Sequence, residues 1–152
     1  MISVRPAVLA DAEAMSDLLI ASITALCVED HQNRAEAVVP WLANKTPEGV
    51  ALWFANSDNT MLVAEREGQI AAAGAFNISR EIILNYVAPA HRFKGVSSAL
   101  LSAIEAALGP GPATLSSTAT ARRFYSRRGW LETGDSEAWA GMTAYPMRKM
   151  LA

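Results

Sequence analysis

The chain has 152 residues and a net charge of −2; 51% of its residues are apolar and 18% charged. That charged share falls below the ~25% of ordinary domains and excludes intrinsic disorder, while the acidic balance excludes a protein that coats a nucleic acid. A single cysteine, Cys27, excludes an internal disulfide and a multi-cysteine metal site.

The first signal along the chain is the alternation Ile2-Ser3-Val4, which stops at Arg5-Pro6 and predicts a short strand. Met15, Leu18, Leu19, Ile23 and Leu26 then recur at helical spacing, with Asp11 expected as N-cap and Glu13 in the first turn. Cys27 closes this stretch and reads as core packing. Asp11 and Glu13 also interrupt any leader-like apolar run, and the longest stretch free of charge, Gly and Pro is Leu18–Val28, short of the ~20 residues a membrane span requires. A soluble, cytoplasmic protein without membrane or nucleic-acid partners is expected, as one domain over 1–152.

A polar stretch containing Asp30 and His31 leads to a second expected helix over 33–43, around Val38, Trp41 and Leu42. Met61–Ala64 and Ile70–Phe76 predict a hairpin across Glu65-Arg66-Glu67-Gly68. Ile82, Leu84 and Tyr86 alternate with Ile83, Asn85 and Val87 in a further strand. Val96, Leu100, Leu101, Ile104 and Leu108 form one helical stripe, ended by Gly109-Pro110-Gly111-Pro112. A strand over Ala113–Ser116 and a helix over Thr118–Arg128 follow, the latter closed by Gly129. Trp130-Leu131 and Met147–Leu151 read as closing strands. The pattern is mixed α/β, with helices packed on one sheet.

The stretch Val87–Leu101 carries the clearest chemistry: a strand, a tight basic turn and the start of an amphipathic helix. The first amides of a helix lack partners and the macrodipole favours negative charge there, so the turn can hold an anion. Gly95 permits close backbone approach, Ser97 and Ser98 add hydroxyls, and Arg92 and Lys94 add charge. The ligand class implied is a phosphate or pyrophosphate; a solvated turn is the alternative. A P-loop and a dinucleotide fingerprint are both excluded, because the required glycines are missing. Arg92, Lys94, Arg122, Arg123, Arg127 and Arg128 fall in two segments without an acid, 91–101 and 118–130, so the rest of the chain is strongly acidic. If the two segments adjoin, they make one basic cleft that steers a polyanion.

At these residues the sequence resembles the GNAT superfamily of acetyl-CoA-dependent N-acetyltransferases. Val87-x-Pro89-x-x-Arg92-x-x-Gly95-x-Ser97 is similar to its pyrophosphate motif, with Ser97 where Gly or Ala is usual. Ala121-x-x-Phe124-Tyr125-x-x-x-Gly129-Trp130 is similar to its second signature, and the resemblance runs in order along nearly the whole chain. It implies a twisted, mostly antiparallel sheet of about six to seven strands flanked by about four helices. It further implies acetyl-CoA as co-substrate and no metal. The backbone of Phe93, Lys94, Gly95, Val96, Ser97 and Ser98, with Arg92, would hold the pyrophosphate. Tyr86 and Val87, on a splayed strand, would pair with the pantetheine arm, and Ser117, Thr118 and Arg122 or Arg128 would contact the rest of CoA.

Tyr125 matches the tyrosine that protonates the departing thiolate in many members, work worth roughly 10²–10⁴-fold. Its alternative is an aromatic core anchor. Glu81, at the start of the strand leading to Val87, is the candidate base, and His31, in a loop that borders the acceptor pocket in the family, the candidate acceptor contact. His91 reads as structural. The expected activity is acetyl transfer to a primary amine of a small molecule, amino acid or peptide by direct attack. The alternative is a non-catalytic acyl-CoA-binding sensor, and the assembly expected is a homodimer.

Overall fold

The small-residue run Ala71-Ala72-Ala73-Gly74-Ala75 lies at the centre of the sheet, its alanines fully buried, because helices press on both faces of that strand. A Cβ added at Gly74 would stand 2.7 Å from Ile104 Cδ1 and 3.3 Å from the Leu84 carbonyl oxygen. Small side chains here let two helix layers close on one strand, which is how a chain of this size encloses a core.

A computed structural model describes all 152 residues. The elements are β1 (Ile2–Pro6), α1 (Ala12–Leu26), α2 (Val28–His31), α3 (Ala35–Leu42), α4 (Pro47–Ala55), β2 (Asn59–Arg66), β3 (Gln69–Asn77), β4 (Glu81–Val87), α5 (Val96–Leu108), β5 (Gly111–Ser117), α6 (Arg122–Ser126), β6 (Leu131–Glu132), β7 (Glu137–Trp139) and β8 (Met142–Leu151). Short 3₁₀ turns occupy Leu9–Asp11 and Pro89–His91. The eight-stranded sheet runs β1-β2-β3-β4-β5-β8-β6, with β7 on β8, and every pairing is antiparallel except β4 with β5. No helix is long and apolar enough to cross a membrane.

Two cores follow from the two faces. Val96, Leu100, Leu101 and Ile104 of α5 pack on Leu62, Ala64, Ala72 and Ile82, with Tyr125 and Trp130 closing that side. Met15, Leu18 and Leu19 of α1 pack on Val63, Ala73, Ala75 and Leu84, with Val50 of α4. Each fully buried Leu, Ile or Met contributes about 1.5–3 kcal/mol over exposure. A smaller cluster of Ile23, Cys27, Ala37, Trp41 and Met142 joins the end of α1 to α3 and β8.

The simple alternation expected along β4 is broken by a bulge. Ala75 pairs with Leu84 but Phe76 pairs with Ile82, leaving Ile83 as an extra residue. One inserted residue reverses the facing of everything beyond it. Ile82 and Val87 therefore both join the α5-side core, while Leu84 and Tyr86 pack on the α1 side.

Other differences have local causes. The sheet has eight strands and six α-helices rather than six to seven and about four. Helix α4 went unread despite its signals: Pro47 opens it, and Thr46 Oγ1 caps it by accepting the Gly49 amide at 3.0 Å. Asp11 occupies the N-cap position of α1, as expected, but its side chain makes no cap hydrogen bond to that helix. Its carboxylate instead accepts the Val8 amide at 2.8 Å and pairs with Arg5 at 2.9 Å, holding the 3₁₀ turn ahead of the helix. The helix expected over Thr118–Arg128 shrinks to α6, because side-chain oxygens, rather than a continuing helix, take the amides of Ala119, Thr120 and Ala121.

Candidate active site

Strands β4 and β5 pair only at Glu81–Thr114 and Ile82–Leu115, then diverge. Beyond Ile82 the backbone of β4 has no strand partner on that side. A cavity of about 640 Å³ fills the split, walled by β4, the end of β5, the loop after β4, α6, Ser22 and Leu26 of α1, and Cys27 just after that helix.

The loop end is built to receive charge. The amides of Phe93 through Ser98 donate to nothing in the protein. Phe93 and Gly95 both take left-handed backbone, at φ 63° and 83°. The left-handed region is rare for a bulky residue and free for glycine, so the turn is strained at Phe93 and relieved at Gly95. Phe93 is 87% exposed, its ring 4.6 Å from the Arg92 guanidinium. Arg92, Arg123 and Arg127 line the cavity without a hydrogen bond or ion pair to the protein. Arg128 also lines it but is tied down, donating to the Phe124 carbonyl at 2.9 Å and to Ser98 Oγ at 2.5 Å.

The other end is apolar and internally paired. Tyr86 Oη accepts the Trp41 indole N–H at 3.3 Å, and burial raises its pKa. Burial pushes the Cys27 thiol up to about 12, so it stays protonated. Tyr125 is 6% exposed, its ring edge-on to Phe124 and Trp130 at 5.4 and 6.1 Å. Its Oη accepts the Asn85 amide N–H at 2.9 Å. Burial pushes this phenol up to about 12, with Asn85 pulling the other way. Asp30 joins α2 to the loop before α6, its oxygens accepting the Ala119 amide, the Thr120 amide and the Thr120 hydroxyl at 2.6, 3.3 and 2.6 Å.

Of the residues singled out from sequence, Tyr86, Val87, Arg92, Phe93, Gly95, Val96, Ser97, Ser98, Ser117, Thr118, Tyr125 and Arg128 all line this one cavity. Four do not. Lys94 is exposed beside it. Arg122 turns away, pairing with Glu132 at 2.8 Å and covering Tyr145 at 3.8 Å. Glu81 is exposed at the start of β4, hydrogen-bonded to Asn77 at 3.4 Å, and lines no part of the cavity. His31 is fully buried: its Nδ1 accepts the Asn33 amide at 2.9 Å, so Nε2–H donates to the Ile23 carbonyl at 2.9 Å. Neither ring nitrogen is left for a substrate. His91 is likewise buried, between Arg66 at 3.3 Å and Gln69 at 3.2 Å. Asn85 is the residue missed; Arg123 and Arg127, expected only as part of a basic cleft, both line the cavity. The two arginines stand four apart, Arg123 in α6 and Arg127 at its C-cap.

The sequence matches the acetyltransferase (GNAT) domain family over residues 23–151. Among curated proteins none matches it. Solved structures do. A GCN5-related N-acetyltransferase from Rhodopseudomonas palustris is 23% identical with a TM-score of 0.84, over 98% of this chain and 95% of that one. PaiA N-acetyltransferase from Thermoplasma acidophilum, solved in complex with coenzyme A, is 16% identical with a TM-score of 0.82, over 99% of each chain. An acetyltransferase of the GNAT family from Staphylococcus aureus Mu50 is 16% identical with a TM-score of 0.69, over 100% of each.

Proposed function

The chain belongs to the GNAT acetyltransferase family, and from that premise we propose that it moves an acetyl group from acetyl-CoA to a primary amine of a small molecule, amino acid or peptide. The observation that carries this is the split between β4 and β5, which joins the free amides of residues 93–98 to the Tyr125 hydroxyl in one cavity. A diphosphate fits the loop end, where unpaired amides, a helix N-terminus and the guanidinia of Arg92, Arg123 and Arg127 converge. Ser97 presents its backbone N–H as Gly or Ala would. The unpartnered edge of β4, from Ile83 to Val87, suits an extended arm that brings its own amides.

Tyr125 acts at the far end. As a phenol held protonated by burial, it can donate to the sulfur that leaves when the amine attacks the thioester carbonyl. The amine must attack uncharged, and its proton passes to solvent. Cytoplasmic location and homodimer formation belong to this same reading.

Calorimetric titration with acetyl-CoA, with ATP as a phosphate control, followed by an acceptor screen, tests the proposal. Acetyl-CoA should bind and ATP bind weakly. Tyr125→Phe should keep acetyl-CoA affinity while kcat falls by about 10²–10⁴-fold, the range for a positioned acid. Binding without turnover on any amine would leave a sensor. No binding at millimolar acetyl-CoA would end the transferase reading.

A further inference from the structure

The Asn85 amide is the only hydrogen-bond partner of the Tyr125 hydroxyl, at 2.9 Å. A phenol oxygen that accepts an N–H still holds one proton of its own. That proton has no acceptor in the protein, and both residues line the cavity. Two features of the sheet put the amide there. The bulge at Ile83 reverses the facing of β4, and Asn85 pairs with Gly74, the position in β3 with no side chain. On an unbroken alternation Asn85 would face opposite Ile82; with the bulge both face α5 and Tyr125.

We propose that Asn85 is the positioning residue for Tyr125: its amide donates to the phenol oxygen, so the phenol can only donate into the cleft. This rests on the reading of Tyr125 as the acid. In that step the phenol O–H bond breaks, an S–H bond forms on the departing thiolate, and a phenolate remains until water reprotonates it. The same Asn85 N–H then holds the phenolate oxygen, which is otherwise costly in a buried site. A thiol ionises near 8.5, far below a buried phenol, so a donor that eases phenol ionisation narrows the mismatch against the proton transfer. Burial and the Asn85 amide are the two influences on this proton.

The test replaces Tyr125 by 3,5-difluorotyrosine, whose phenol ionises within the range where the protein is folded, and follows its ¹⁹F signal against pH. The backgrounds are the natural chain, Asn85→Leu and Asn85→Asp. Leucine removes the donor, and aspartate keeps the shape but takes the phenol's proton for itself. The midpoint should rise by about one unit in the leucine variant and further in the aspartate variant. With Tyr125 itself in place, kcat should fall about tenfold or more in both, with KM for acetyl-CoA held within about twofold. Coincident midpoints, or an aspartate variant that turns over like the natural chain, overturn the proposal. If one variant fails to fold, the other carries the test. Should acetyl-CoA fail to bind, the transferase reading falls separately, and the ¹⁹F midpoints still decide whether Asn85 governs this proton.

Discussion

The two ends of the cavity treat hydrogen bonds in opposite ways. At the loop end, six consecutive amides and three guanidinia have no partner in the protein. At the other end, Tyr86 is bonded to Trp41 and Tyr125 to Asn85, and behind that wall Asp30 is bonded to Ala119 and Thr120. An end that takes a polyanion gains by leaving donors free, because each is satisfied only when the ligand arrives. An end that must hold a proton at one atom gains by leaving nothing free to rotate.

The largest expected break in that contrast is at Asp30, which holds the paired end together across residues distant in sequence. Asp30→Ala removes the acceptor for two amides and one hydroxyl, and bonds to a charged acceptor are worth about 1.5–3 kcal/mol each. Because such losses are not additive, a loss of about 2–4 kcal/mol is expected in urea unfolding. A loss below about 1 kcal/mol would show that the loop 118–121 is held by something else.

The free end is tested by its arginines. Replacing Arg92, Arg123 or Arg127 with alanine should each weaken acetyl-CoA binding about tenfold, one charge-assisted contact, and flatten its dependence on salt. Arg122→Ala, a residue turned toward Glu132, should leave affinity unchanged. Arg128 sharpens the division: already bonded to Ser98 and Phe124, it should lose stability as well as affinity on truncation. Equal effects from Arg122 and Arg127 would dissolve the distinction between free and paired cations.

The free end was legible in the sequence and the paired end was not. A phosphate loop is local: Arg92, Gly95, Ser97 and Ser98 sit within one turn, and their chemistry follows from their order. Tyr125 was legible because it stands in a local signature with Phe124, Gly129 and Trp130. Asn85 was not, because its facing depends on a bulge set by β3 pairing. Glu81 and His31 lie outside the cavity for reasons of their own, set by contacts that one sequence does not show. A carboxylate opening a strand and an imidazole in a polar stretch look reactive in sequence. Asn77 holds one at the surface and the backbone at Ile23 and Asn33 seals the other inside. Helix α4 was legible in principle, since Thr46-Pro47-Glu48 is a local start signal.

The smallest effect concerns Lys45, the exception within the paired half. Lys45 is 8% exposed, and its ammonium donates to the Trp41 carbonyl at 3.1 Å and Asn44 Oδ1 at 2.7 Å, with no carboxylate beside it. Burial therefore pulls its pKa down to about 8, against ~10.4 for an unfolded lysine. Below about 8 both states hold the proton and the folded protein carries the full cost of a buried charge. Between about 8 and ~10.4 the unfolded chain still binds a proton the folded one releases, so Lys45 makes stability rise with pH. Cys27 and Tyr125 act the other way, since burial raises them and unfolding lets them ionise first. Comparing the natural chain with Lys45→Met cancels those opposing groups. The methionine variant should be the more stable at pH 7, and its advantage in urea midpoint should shrink steadily as the pH is raised to 10. An advantage that stays constant across that range would mean that the Lys45 proton is held equally in both states, and that its two hydrogen bonds fully replace the water it has lost.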